Sequence, residues 1–343
     1  MAPRIVLDAV GGDYAPTAIV AGVLQAARDL DVEIILIGPQ DQVEAELARQ
    51  NRGRPLPANV RLVHAPQVIE MGEHPVSAIR SKRDSSIVRG LGLVACGEAD
   101  AFVTAGSTGA AMAGAVIELK RIPGIDRPAL ATPFPTRLGP CLLLDVGAGV
   151  EAKAQNLVQF AIMGSIYAEQ ALGLKEPRVG LLNIGEEESK GHPVYQEANQ
   201  LLQIAPVRFV GNVEGKDIPS GAADVVVMDG FVGNVMIKLA EGLAANLLDI
   251  LRTEIRSNPF TALVGLGLMP VFRRVRRRLD YAEYGGAPLL GVNGVCIVAH
   301  GRSNPLAIRS AIRVAADAVN GGMLERIRVG LGEATGEGGA SSQ

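Results

Sequence analysis

The chain has 343 residues, 48% apolar and 20% charged, so it is long enough to bury a large core and too apolar to be disordered. With a net charge of −3, no tryptophan and 3% aromatic residues, it lacks both the basic footprint and the stacking platforms of a nucleic-acid-binding protein.

One pattern recurs along the chain: a short β-branched run, a glycine-containing polar turn, then a helical segment. Residues 4–7 lead into Asp8-Ala9-Val10-Gly11-Gly12-Asp13, and 33–37 into Gly38-Pro39. Residues 101–103 lead into Thr104-Ala105-Gly106-Ser107-Thr108-Gly109, and 141–144 into Asp145-Val146-Gly147-Ala148-Gly149. Residues 179–182 lead into Asn183-Ile184-Gly185-Glu186, 224–227 into Met228-Asp229-Gly230, and 295–298 into Ala299-His300-Gly301-Arg302. Strands apolar on both faces and alternating with helices predict a mostly parallel sheet covered on both sides. Helices are predicted over 15–29, 152–170 and 231–255 from apolar spacing. The segment 332–343, rich in Gly, Ser, Glu and Ala, is expected to be a disordered tail.

Ligands of such sheets bind beyond the carboxyl ends of the strands, where these turns lie. Asp8, Asp13, Ser107, Thr108, Asp145, Glu186, Asp229 and His300 are therefore candidates to line one crevice. Gly106-Ser107-Thr108-Gly109 before an alanine-rich helix suits a small anion: the helix start offers unpaired N–H groups and two hydroxyls. No Gly-Lys-Ser/Thr follows, which excludes a nucleoside-triphosphate loop, and an ordinary strand-to-helix turn is the competing reading. Lys190, in Glu186-Glu187-Glu188-Ser189-Lys190-Gly191, is a mobile cation able to hold phosphate or polarise a carbonyl, unless the run is only a solvated turn. Asn234 offers an amide to a developing oxyanion, or else caps its helix. His300 reads as an acid–base group, an anion donor or a structural residue, and Asn304 closes the same polar turn.

Three cysteines, Cys96, Cys141 and Cys296, have no metal-ligand spacing and fit a reducing cytoplasm. His64, His74 and His192 lack companions at ligand spacing, so no metal is expected. The apolar run after Arg4 is too short for a secretory signal, and no run reaches the ~20 residues of a spanning helix. Residues 259–272 carry no charge and are followed by Arg273, Arg274, Arg276, Arg277 and Arg278. Phe260, Leu263, Val264, Leu266, Leu268, Met269 and Phe272 either lie in the interface of an anionic membrane or are buried in a dimer contact or core. Arg80, Lys82 and Arg83 form a basic stretch that would suit an acidic partner.

Taken together, the 8–13 and 105–110 turns, Leu144-Asp145-Val146-Gly147-Ala148, the 183–191 and 229–234 segments, and Tyr284-Gly285-Gly286-Ala287-Pro288-Leu289-Leu290-Gly291 resemble one family. It is the bacterial phosphate acyltransferases of phospholipid synthesis, the acyl-ACP:phosphate transacylases. The resemblance runs from about residue 3 to about 330, with Val10 standing where methionine is expected. It implies a three-layer α/β/α fold like isocitrate and isopropylmalate dehydrogenases: one large catalytic domain over 1–331, with a helical hairpin near 240–282 bearing the apolar tip. It also implies a homodimer, cytoplasmic and peripherally membrane-associated, that transfers a fatty acyl group from acyl carrier protein (ACP) to inorganic phosphate. A membrane glycerol-3-phosphate acyltransferase would use the product. Lys190 and Asn234 are the implied catalytic pair, with no cofactor. A short-acyl-CoA phosphotransacetylase, an NAD-dependent decarboxylating dehydrogenase and a non-enzymatic ACP-binding membrane scaffold are the alternatives.

Overall fold

A computed structural model of the chain describes residues 2–258, 261, 265, 267–272, 274, 275 and 285–335. Among these residues the strands form two sheets. The first contains β1 (Arg4–Asp8), β2 (Glu33–Gly38), β3 (Val60–His64), β4 (Ala101–Thr104), β5 (Ala129–Leu130), β11 (Ala287–Leu290) and β12 (Val295–Val298), in the order β3-β2-β1-β4-β12-β11-β5. The second contains β6 (Thr132–Pro135), β7 (Pro140–Leu144), β8 (Arg178–Asn183), β9 (Arg208–Glu214) and β10 (Val225–Val227), in the order β6-β7-β10-β8-β9. All neighbours run parallel except β11 beside β12 and β5, and β6 beside β7.

The expected single sheet is thus divided, and one segment stitches the halves. β5 pairs with β11 in the first sheet, and two residues later β6 pairs with β7 in the second. The Leu130 N–H donates to Asp145 Oδ1 (3.0 Å), and its carbonyl accepts from the Val146 N–H (3.0 Å).

The central strands are buried on both faces, as their unbroken apolar runs require. Side chains alternate along β1 with period two. Ile5 and Leu7 enter a layer with helices α1 (Thr17–Asp29), α6 (Ala154–Leu172), α9 (Pro305–Asn320) and α10 (Met323–Thr335). Val6 enters the opposite layer with α4 (Ser86–Ala95) and α5 (Thr108–Glu118). The first layer also takes Leu142, Leu144, Val225 and Val227, so one apolar core runs beneath both sheets. The remaining helices are α2 (Gln40–Gln50), α3 (Pro75–Ser81), α7 (Pro193–Gln203) and α8 (Gly230–Arg256).

The helix α8 bears an exposed apolar stripe at four-residue intervals: Phe231, Val235, Leu239, Leu243, Leu247 and Leu251. Gly265 packs back against Ile255, which turns the chain at the end of this helix. Leu268 and Met269 are helical and exposed, and Phe272 is half-buried. Phe260, Leu263, Val264 and Leu266 lie outside the described residues, as does 336–343. Residues 332–335, expected in the tail, are the last turn of α10.

Cys141 and Cys296 are buried, and burial pushes each thiol up to about 12, whereas Cys96 is exposed. A thiolate-specific reagent at neutral pH should label Cys96 alone in the folded chain and all three cysteines after denaturation. Rapid native labelling of Cys141 or Cys296, read by peptide mass mapping, would contradict this packing.

Candidate active site

The anion turn is built around a buried carboxyl group. Asp8, at the end of β1, is 1% exposed, and its Oδ2 accepts from the Thr104 hydroxyl (2.8 Å). Thr104 Oγ1 in turn accepts from the Gly106 N–H (2.9 Å). Burial pushes the Asp8 carboxyl up, and hydrogen bonds from Ser86, Thr104 and the Val10 and Gly11 N–H groups oppose it. Gly11 has no room for a side chain, since a Cβ would come within 2.7 Å of the Gly106 nitrogen. Next to it, Gly12 at φ +102° occupies backbone space that favours glycine, and the Asp13 N–H then donates to the Gly301 carbonyl (2.8 Å). Through these contacts the loops after β1, β4 and β12 meet, bringing together Asp8, Asp13, Ser107, Thr108 and His300.

Ser107 caps α5, its hydroxyl oxygen accepting from the Ala110 N–H (3.4 Å). The N–H groups of Ser107, Thr108 and Gly109 have no acceptor among the described residues. That of Gly106 is spent on Thr104, so the donor set open to an anion is 107–109 rather than 106–109.

A second cluster forms beyond β7, β8 and β10. Asp145 is 1% exposed; its Oδ1 accepts from the N–H groups of Leu130 (3.0 Å), Gly147 (3.0 Å) and Ala148 (2.8 Å), and its Oδ2 from Gly149 (2.8 Å). Asp145 therefore holds its own loop in shape. The start of α8 presses on this loop: a Cβ on Gly233 would overlap the Asp145 carbonyl oxygen. The next residue is Asn234, half-buried, with its Cγ 3.7 Å from the Cβ position of Gly147. Its amide makes no hydrogen bond to a described residue. The helix cap is Asp229, whose Oδ1 accepts from the Val232 N–H (2.9 Å), which leaves Asn234 free of that duty.

Lys190 lies in the exposed loop between β8 and α7. Its N–H donates to the Glu187 carbonyl (3.0 Å), its carbonyl accepts from Asn183 Nδ2 (3.1 Å), and its stem lies against Gly185. Its ammonium has no carboxylate partner among the described residues, although three glutamates precede it. Glu186 is exposed, and Glu188 accepts from Gln203 (3.0 Å).

The two clusters share α8. Asn234 and Glu241 are seven residues apart, on one helix face and about 10 Å along the axis. Glu241 Oε2 lies 4.0 Å from His300 Nε2, in the first cluster. The structure thus resolves the expected convergence into two groups of loops bridged by a helix. Asn304 caps α9, its Oδ1 accepting from the Ala307 N–H (2.9 Å). The basic stretch near residue 80 is largely neutralised, with Lys82 paired to Glu73 (2.6 Å) and Arg83 to Glu118 (2.6 Å). Among the described residues no three His, Cys, Asp or Glu side chains are grouped as metal ligands. Thr104, Glu241 and Tyr195, all part of this architecture, carry no local sequence signal, because each acts through partners distant in the chain.

A protein-family model described as "Fatty acid synthesis protein" matches residues 3–326. Phosphate acyltransferase from Desulfitobacterium hafniense (strain DSM 10664 / DCB-2) is 52% identical over 326 residues, covering 95% of this chain and 96% of that protein. The phosphate acyltransferase of Pelotomaculum thermopropionicum is also 52% identical, covering 95% and 94%. The chain belongs to the phosphate acyltransferase family. The chain is similar in fold to a phosphotransacetylase from Streptococcus pyogenes (TM-score 0.63, 18% identity, 93% of this chain and 94% of that one). It is similar also to 4-hydroxythreonine-4-phosphate dehydrogenase from Klebsiella pneumoniae (TM-score 0.53, 12% identity, 92% and 98%). The expected α/β class and acyltransferase family therefore hold.

Proposed function

We propose that the chain transfers a fatty acyl group from ACP to inorganic phosphate, giving acyl phosphate and free ACP. The observation that carries this reading is the set of donors without acceptors among the described residues: the N–H groups of Ser107, Thr108 and Gly109, the Lys190 ammonium and the Asn234 amide. The N–H groups suit a multiply charged oxyanion, and the ammonium and the amide suit the negative charge that develops in acyl transfer.

Phosphate is nucleophilic at neutral pH, so the reaction needs alignment and charge screening rather than a strong base. A phosphate oxygen attacks the thioester carbonyl carbon. The C–S bond then breaks, and the thiolate leaves and takes a proton from water. Lys190 offsets the charge of the phosphate and of the tetrahedral intermediate, and Asn234 donates to the carbonyl oxygen as it becomes negative. Attack is direct, without an acyl-enzyme. The buried Asp8–Thr104 pair fixes the turn and leaves the anion to the N–H groups beyond it. Mass spectrometry of a mixture of palmitoyl-ACP, phosphate and enzyme should detect palmitoyl phosphate. Formation of acetyl phosphate from acetyl-CoA with none from palmitoyl-ACP would favour a short-acyl phosphotransacetylase instead.

The exposed apolar residues of α8 support the homodimer, since a second copy would cover them. Exposed Leu268 and Met269, beside the arginine run, support peripheral contact with an anionic membrane from the cytoplasmic side, where a membrane glycerol-3-phosphate acyltransferase would take the product. The double substitution Leu268→Glu and Met269→Glu should abolish co-sedimentation with anionic vesicles while circular dichroism is unchanged. Undiminished co-sedimentation would count against the tip.

A further inference from the structure

Tyr195 has no place in the mechanism above, yet it sits between the two residues that do the chemistry. It is in the first turn of α7, directly after the loop that carries Lys190. Its hydroxyl donates to Asp229 Oδ2 (2.5 Å) and accepts from the Asp229 N–H (3.2 Å). The other oxygen of Asp229 caps the helix that presents Asn234. The neighbour of Tyr195 on α7, Gln196, reaches the other way: its Nε2 donates to the carbonyls of Ser189 (2.6 Å) and Gly191 (3.2 Å), one on each side of Lys190. One helical turn therefore grips the Lys190 loop with Gln196 and the start of α8 with Tyr195. Burial, and then Asp229, raise the pKa of the phenol above its ordinary range, so the hydroxyl keeps the proton it donates.

We propose that Tyr195 is a positioning residue that, through Asp229, sets the placement of Asn234 relative to Lys190. The proposal rests on the reading of Lys190 and Asn234 as the catalytic pair. Phenylalanine at 195 keeps the ring and removes both hydrogen bonds, so the helix start is released while the core is untouched.

The test is a cycle of Tyr195→Phe, Asn234→Ala and the double variant, with palmitoyl phosphate formation followed at saturating palmitoyl-ACP and phosphate. Tyr195→Phe alone should lower kcat about ten-fold, since small misplacements of reacting groups are costly. In the Asn234→Ala background the same change should cost about two-fold or less, because the group that it positions is gone. A purely structural role predicts equal losses in both backgrounds, and that result overturns the proposal, as does wild-type activity of Tyr195→Phe. Wild-type activity of Asn234→Ala overturns the underlying mechanism, and the proposal with it. If Tyr195→Phe does not fold, Asp229→Asn, which keeps a cap oxygen for Val232 and replaces the acceptor of the phenol, must show the same dependence on Asn234 for the proposal to stand.

Discussion

Lys190→Ala lowers acyl phosphate formation by about 10²- to 10³-fold, the loss expected when a preorganised charge-stabilising group is removed from an acyl-transfer site. The fold survives this change because the side chain is exposed and makes no ion pair with a described residue. The loop keeps its shape through main-chain bonds to Glu187 and Asn183, which alanine preserves. Lys190→Arg retains the charge but replaces a compact ammonium by a planar fork, so it restores only part of the rate. Steady-state kinetics with palmitoyl-ACP, beside a thermal melt of each variant, checks both statements. Full activity of Lys190→Ala removes the residue from the mechanism.

Gly233→Ala has the second large effect, and it acts through structure. Alanine is the better helix former by about 1 kcal/mol, so propensity alone favours the change. Against this, the new methyl would occupy the place of the Asp145 carbonyl oxygen and lie 3.0 Å from the Val146 Cα. Both neighbours are backbone, and the loop that holds them is pinned by four N–H groups on one carboxylate. Overpacking of this kind costs about 1–3 kcal/mol or more, which outweighs the propensity gain. Either α8 moves off the loop, carrying Asn234 with it, or the loop opens; activity falls in both cases. Gly242→Ala is the control on the same helix, for nothing lies within 4 Å of its Cβ position, and it should stabilise the chain by up to about 1 kcal/mol. Chemical denaturation of the two variants checks the opposite signs. A Gly233→Ala chain as stable and active as the parent would mean that α8 does not press on the 145–149 loop.

The elements legible from sequence were those buried on both faces. Residues 5–7, 101–103 and 295–298 announce themselves as strands because every side chain there is apolar, and each run lies within a strand. Edge strands are harder to see. β3 and β9 are only partly buried and carry Arg61, His64, Arg208 and Asn212, which dilute the apolar signal. β6 contains Pro133 and Pro135, tolerated because it pairs on one side only, and β5 is two residues long. Missing these strands hides the division into two sheets. The same limit applies at the site. Ser107 and Thr108 are visible because cap and anion chemistry is local, and Lys190 because a lone cation after three glutamates is conspicuous. Asp145 reads equally well as a ligand or a loop staple until Leu130, fifteen residues away, is seen donating to it. Tyr195 is silent because its partner lies 34 residues on.

The central claim is that inorganic phosphate rests on the first turn of α5, and a crystal of the enzyme grown or soaked with phosphate tests it most directly. The account expects phosphate oxygens within hydrogen-bond distance of the Thr108 and Gly109 nitrogens and the Ser107 hydroxyl. Phosphate bound at another place in an enzyme that still makes acyl phosphate would contradict it.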